Sequence, residues 1–119
     1  MHNWIELSKS ALRNNIQIFQ SLLGRERAAF VLKSNAYGHG LAEVYEAIKG
    51  ENLPWICTNY LYEAEKLRGW GFQGRILNVG PIFPEDLNAA VKFDVDVFLA
   101  KSDTFAAWQK LPHPPRAHI

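Results

Sequence analysis

Short apolar runs of strand length, each followed by a stretch with helical periodicity, recur four times along the chain, and no other feature restricts the fold as strongly. The first run, Ala28-Ala29-Phe30-Val31-Leu32, is continuously apolar, as expected of a strand covered on both faces of an α/β structure. Trp55 to Thr58, Arg75 to Val79 and Val95 to Leu99 repeat the pattern. Between them, Leu41, Val44, Tyr45 and Ile48 mark one helical face, ended by Gly50 and cut off from the next run by Pro54. Tyr62 to Trp70 suits a second helix, and Pro84 to Val91 a third, opened by a proline and two acids that favour a first helical turn. A further helix is expected from Ser102 to about Lys110. Ahead of all of these, Ser8 can cap a helix in which Leu12, Ile16, Phe19 and Leu23 recur at spacings of three and four before Gly24 stops it.

Strands alternating with helices at this pitch imply right-handed crossovers and a parallel sheet. After "LPHPPR", Ala117-His118-Ile119 reads as the beginning of a fifth strand. Four βα units can form a small open sheet, or the N-terminal half of a (β/α)8 barrel whose edges are otherwise unpaired. The second arrangement makes the chain the first part of a longer fold. No low-complexity linker divides it, so residues 1–119 read as one unit.

Composition excludes several classes of function. With 48% hydrophobic and 13% aromatic residues, the chain has enough apolar material for a core. Its net charge is +1 and its basic residues are scattered, so neither nucleic acid nor an acidic membrane is an expected partner. No apolar segment approaches the roughly 20 residues of a membrane span. The start, Met1-His2-Asn3-Trp4, has no charged-then-apolar signal pattern, and the cytoplasm is the expected location. Cys57, the single cysteine, permits no internal disulfide or zinc cluster and suits a buried strand position. His2, His113 and His118 have no metal-ligand spacing, so no metal is expected. Asp94 and Asp96 read as solvated charges at a strand start, and Trp4, Trp55, Trp70 and Trp108 as packing anchors.

Chemistry concentrates in "VLKSNAYGHG", residues 31–40. Ligands of parallel α/β proteins bind at the C-terminal ends of strands, and Lys33 stands at such an end. Strand alternation puts Ala29, Val31 and Lys33 on one face and Phe30 and Leu32 on the other. If the larger pair packs on helices, the lysine points into the inner layer, where partial desolvation frees an amine to form an imine with an aldehyde. Gly38 and Gly40 let the backbone turn closely around a ligand, and Tyr37 offers a hydroxyl to an anion. The ordinary reading of a lysine ending a strand is a solvated charge. The two glycines are not a dinucleotide fingerprint, and no "GK[ST]" phosphate loop occurs. His39, between glycines with no acid nearby, reads as a turn or surface residue.

As a whole string, "VLKSNAYGHG" resembles the cofactor-lysine motif of alanine racemases, V-V-K-A-N-A-Y-G-H-G. "WIELSKSALRNN", Trp4 to Asn15, is similar to that family's opening W-x-E-I-x-x-x-A-L-x-x-N. "EAEKLRGWGFQGRILNVG", Glu63 to Gly80, is similar to its E-A-x-x-L-R-x-x-G-x-x-x-x-I-L-V-L-G. The resemblance spans essentially the whole chain. It implies a pyridoxal-phosphate-dependent racemase interconverting L- and D-alanine for peptidoglycan, built as a (β/α)8 barrel with a C-terminal β domain and active as a head-to-tail homodimer. By position, Lys33 corresponds to the lysine that links to the cofactor aldehyde and serves as one of two racemisation bases. Tyr37 corresponds to the tyrosine that contacts the cofactor phosphate. Val79 falls where the family places an apolar cofactor-pocket residue, usually leucine. Ser34 replaces the usual alanine and is expected to point away from Lys33.

The family's next strand carries K-x-D-T-G-M-x-R-x-G, and this chain ends at His118-Ile119, where that motif would begin. The resemblance therefore implies that the opposing tyrosine base, the arginine facing the pyridine nitrogen and the remaining phosphate ligands come from elsewhere, in cis or from a complementing C-terminal fragment. Alone, the chain is expected to be inactive. Two other readings stand beside the racemase portion: a noncatalytic cofactor-binding or interaction module of the same barrel, and part of a broader-specificity amino-acid racemase. Decarboxylases and cofactor-homeostasis proteins of this barrel class share the lysine but generally lack "NAYGHG".

Overall fold

A computed structural model of the chain describes residues 3–119, so His2 lies outside the described residues. The elements are α1 (Lys9–Leu23), β1 (Ala29–Val31), α2 (Lys33–Tyr37), α3 (Leu41–Ile48), β2 (Trp55–Thr58), α4 (Leu61–Gly69), β3 (Arg75–Asn78), α5 (Leu87–Lys92), β4 (Val95–Phe98), α6 (Ser102–Gln109) and β5 (Ala117–His118). Ser8 caps α1 by accepting the Ala11 N–H at 3.2 Å, and Gly24, at φ 81°, ends it. The helix expected from Pro84 begins as a 3-10 turn, Pro84–Asp86, which leads into α5.

All five strands pair in parallel, in the order β1-β2-β3-β4-β5. Sequential order combined with right-handed crossovers sends every helix to the same face of the sheet, which is how a (β/α)8 barrel is wound; a doubly wound sheet needs a reversal of order. Residue contacts agree. Ile56, Ile76, Val95 and Val97 are in register or alternate with one another, and all join the helices in one buried cluster. On the opposite face, the register lines up Ala29 with Trp55 and Arg75, and Val31 with Cys57, Leu77 and Asp96. The chain is an α/β half-barrel with its inner face open.

That open face corrects one expectation. β1 is an edge strand, and Ala29 and Val31 are exposed instead of covered on both sides. The opening helix is similarly half-committed. Leu12 and Ile16 pack on the core, whereas Phe19 and Leu23 are exposed. Trp4 is no packing anchor: it is 75% exposed and donates its Nε1–H to Glu6. Trp55 is half-buried under the Arg75 guanidinium, 3.9 Å from the ring, and Trp108 donates to the Pro115 carbonyl at 2.8 Å. Trp70 stays partly exposed while stacking on Tyr45.

A second correction concerns Asp96. It is not solvated but 0% exposed, with its carboxylate taken up by Arg75, Arg116 and, at 3.5 Å, His118. Alternation puts position 96 on the inner face, where only a charged partner makes an acid tolerable. Asp94, two residues earlier, is exposed as expected and pairs with Arg116 at 2.8 Å. Cys57 is buried as expected, and burial pushes its thiol pKa up. Among the described residues, no helix is long and apolar enough to cross a membrane, and no cluster of three or more metal-ligating side chains occurs.

Candidate functional site

The sheet ladder continues past β1 and β3, with Leu32 N–H donating to the Cys57 carbonyl at 2.9 Å and Val79 N–H to the Thr58 carbonyl at 2.8 Å. Lys33 and Val79 therefore leave the sheet at the same, C-terminal end. With strands roughly 4.8 Å apart, they stand about 10 Å from each other across β2. Lys33 is half-buried and opens α2 instead of closing the strand. No hydrogen bond, ion pair or cation–π contact engages its amine among the described residues.

Sequence reasoning missed the conformation that follows. Ser34, Asn35, Ala36 and Tyr37 have φ of 55, 56, 52 and 56°, a turn of left-handed helix built without glycine. Each such residue costs about 1–2 kcal/mol relative to the right-handed form. Local bonds offset part of that cost: Ala36 N–H to the Leu32 carbonyl at 2.9 Å, Gly40 N–H to the Asn35 carbonyl at 3.0 Å, and Leu41 N–H to Asn35 Oδ1 at 2.8 Å. Ala36 is buried beneath the turn, while Ser34, Asn35 and Tyr37 are exposed. Asparagine's tolerance of the left-handed region is a signal that the sequence did contain. Gly38, at φ 85°, then reverses the chain, and His39 lies exposed in the turn as expected.

Tyr37 is 61% exposed and lines a groove of 370 Å³ that also touches Val31, Leu12 and the Ile5–Ser8 segment. Val79 lines a different depression, of 320 Å³, together with Ile82, Phe98 and Lys101. The fold thus brings Lys33 and Val79 to one end of the sheet and carries Tyr37 on the same turn as Lys33, without joining the three in one cavity. At Gly80, two residues past β3, the chain runs tight against β2's exit: a Cβ there would stand 2.0 Å from the Asn59 carbonyl oxygen.

Beneath the turn lies a residue that the sequence singled out only as part of a motif. Glu63, at the start of α4, is 1% exposed. Its Oε2 accepts the N–H of Asn59 at 2.9 Å and of Tyr60 at 3.2 Å, and its Oε1 accepts the N–H of Asn35 at 3.0 Å.

A parallel half-sheet wound in barrel order places the chain among α/β proteins of the barrel type, whose sites lie at the C-terminal rim where Lys33 stands. Comparison specifies which one. The family model described as "Alanine racemase, N-terminal domain" matches residues 7–119, and the chain belongs to that family. It is 37% identical to an alanine racemase of Listeria monocytogenes over 121 aligned residues, covering 98% of this chain and 32% of that protein. A broad specificity amino-acid racemase of Pseudomonas putida is 33% identical over 84% of this chain and 25% of its own length. Among solved structures, alanine racemase from Oenococcus oeni superposes with a TM-score of 0.76 at 29% identity, over 89% of this chain and 31% of that one. The chain spans between a quarter and a third of the length of these relatives.

Proposed function

We propose that this chain is the cofactor-lysine portion of a pyridoxal-phosphate-dependent amino-acid racemase acting on alanine. The observation that carries the reading is Lys33 itself: an unengaged primary amine at the C-terminal end of the first barrel strand, opening a turn that also presents an unengaged phenol, Tyr37, among the described residues. Both groups fit the cofactor's chemistry, an amine for its aldehyde and a hydroxyl donor for its phosphate. When bound, pyridoxal phosphate supplies electron withdrawal that acidifies the substrate's α-carbon.

In this reading Lys33 Nζ would hold the cofactor through its aldehyde and, once displaced by the substrate's own amine, would be free to take or return the α-proton on one face. Tyr37 holds the phosphate, and Val79 packs against the cofactor's apolar edge. The second base, the remaining phosphate ligands and the group facing the pyridine nitrogen belong to further barrel strands and a second subunit of a homodimer, or to a complementing chain. Racemisation by these 119 residues alone is not expected. The place of action is the cytoplasm, and the D-alanine formed serves the cell wall.

The test is covalent. The purified chain is incubated with pyridoxal phosphate, reduced with borohydride and mapped by peptide mass spectrometry. Label concentrated on Lys33 supports the reading; label spread over Lys101 and the surface lysines, with none on Lys33, overturns it. If the chain labels at Lys33 but, joined to the missing part of a relative, racemises no amino acid, it is a noncatalytic binding module. A second substrate reading rests on the 33% identity to a broad specificity racemase and to a lysine racemase of Proteus mirabilis, and the same joined enzyme decides it by comparing alanine with lysine turnover.

A further inference from the structure

Glu63 is buried, yet every hydrogen-bond partner it has among the described residues is a backbone N–H donor: Asn59 and Tyr60 on one oxygen, Asn35 on the other. Only a carboxylate accepts at both oxygens without presenting a donor of its own. Burying that group costs several kcal/mol unless hydrogen bonds replace water, and here three amides and the N-terminus of α4 do so. Two of the three bonds are local to α4 and form its acidic cap. The third is not. It crosses 28 residues to the middle of the left-handed turn.

That turn needs an external hold. Four consecutive non-glycine residues with positive φ are each disfavoured, and the bonds described among residues 34–41, with Ala36 N–H to the Leu32 carbonyl, close the turn on itself. Leu32 N–H ties the entry of the segment to the Cys57 carbonyl of β2, and from the positive-φ residues themselves it is Asn35 N–H, accepted by Glu63, that reaches out to α4 and the end of β2.

We infer that Glu63 is a positioning residue: it fixes the left-handed turn through the Asn35 N–H and thereby sets the direction in which Lys33 leaves the first strand. The inference rests on the reading of Lys33 as the cofactor lysine for its functional consequence, while the contact itself is tested without cofactor. The competing account is that Glu63 only caps α4. A serine at position 60 offers the free N–H groups of that helix a cap of their own, so Tyr60→Ser separates the two roles.

The experiment uses the isotopically labelled 119-residue chain. Amide hydrogen exchange and backbone couplings at residues 34–37 are compared among the wild type, Glu63→Gln, Glu63→Asp and Tyr60→Ser/Glu63→Gln, with thermal unfolding alongside. Glutamine turns one acceptor into a donor facing an N–H; aspartate keeps the charge and the cap but is one methylene too short for Asn35. The expected result is at least tenfold faster exchange at Asn35 in all three variants, and a smaller share of borohydride-fixed pyridoxal phosphate on Lys33. Tyr60→Ser is expected to recover thermal stability without recovering either signal. If Glu63→Gln does not fold, Glu63→Asp carries the comparison. Unchanged Asn35 exchange in a folded variant overturns the inference, as does Tyr60→Ser restoring the Lys33 share together with stability. A wild type that never labels at Lys33 defeats the cofactor reading instead, and the Asn35 exchange still decides the role of Glu63.

Discussion

Arg116 Nε donates to the buried Asp96 Oδ1 at 2.8 Å, tying the segment entering β5 to the centre of β4. Arg75, at the start of β3, binds the other oxygen of the same carboxylate, so one acid gathers three adjacent strands on the open face. Either arginine alone still satisfies Asp96 in part; losing both leaves this buried acid with only His118, at 3.5 Å, among the described residues. Arg75→Met and Arg116→Met are each expected to cost about 1 kcal/mol, and the double variant to exceed their sum by about 1–3 kcal/mol. Urea unfolding of the four proteins in a double-mutant cycle checks this, and strict additivity contradicts it.

Lys33 and Tyr37 share a turn but are assigned different tasks, so their variants are expected to diverge. Lys33→Ala and Lys33→Arg both remove borohydride-fixed label from position 33, because a guanidinium keeps the charge but stays protonated and is no imine nucleophile. Tyr37→Phe keeps the label and weakens cofactor binding by one hydroxyl contact, about 1 kcal/mol or fivefold in Kd. Equilibrium dialysis followed by peptide mapping separates the two effects.

Glu51 links the turn after α3 back to α1. The Gln17 amide hydrogen bond at 3.0 Å, followed by hydrogen bonding and charge from Arg13, holds its carboxyl below the ordinary pKa of 4.5. A depressed folded-state pKa contributes stability that is full above 4.5 and is lost as the pH falls through the lower, folded-state value. Wild type and Glu51→Gln are therefore expected to differ in Tm at neutral pH and to converge in acid. A difference that persists unchanged into strong acid rules out this linkage.

Cys57 faces the open side of the sheet but is only 5% exposed, and burial pushes its thiol pKa above 9.0. Both facts reduce the thiolate available for attack. Iodoacetamide at pH 8 is expected to leave the folded chain unmodified and to label it promptly in denaturant; equal rates in the two conditions refute the buried placement.

Periodicity in the sequence determined much of this architecture. Leu41, Val44, Tyr45 and Ile48, read as one helical face, are all buried, and each apolar run became a parallel strand within one or two residues of its expected bounds. These patterns are legible because helical and strand periods are local properties of the chain. The string around Lys33 pointed to the family by likeness of residues, not by any geometry that the string itself reveals. Tertiary structure decided the rest. Asp96 reads as a surface charge until sheet register brings Arg75 and Arg116, 21 residues before it and 20 after, to its two oxygens. The left-handed turn at Ser34–Tyr37 has one hint in the sequence, Asn35, beside three residues that prefer the right-handed form; the folded chain supplies what holds it, a carboxylate on Glu63 that reaches Asn35 only once α4 has docked beside β2. Contacts between residues far apart in sequence decide where buried charge is tolerable and which strained backbone survives, and those contacts exist only in the assembled fold.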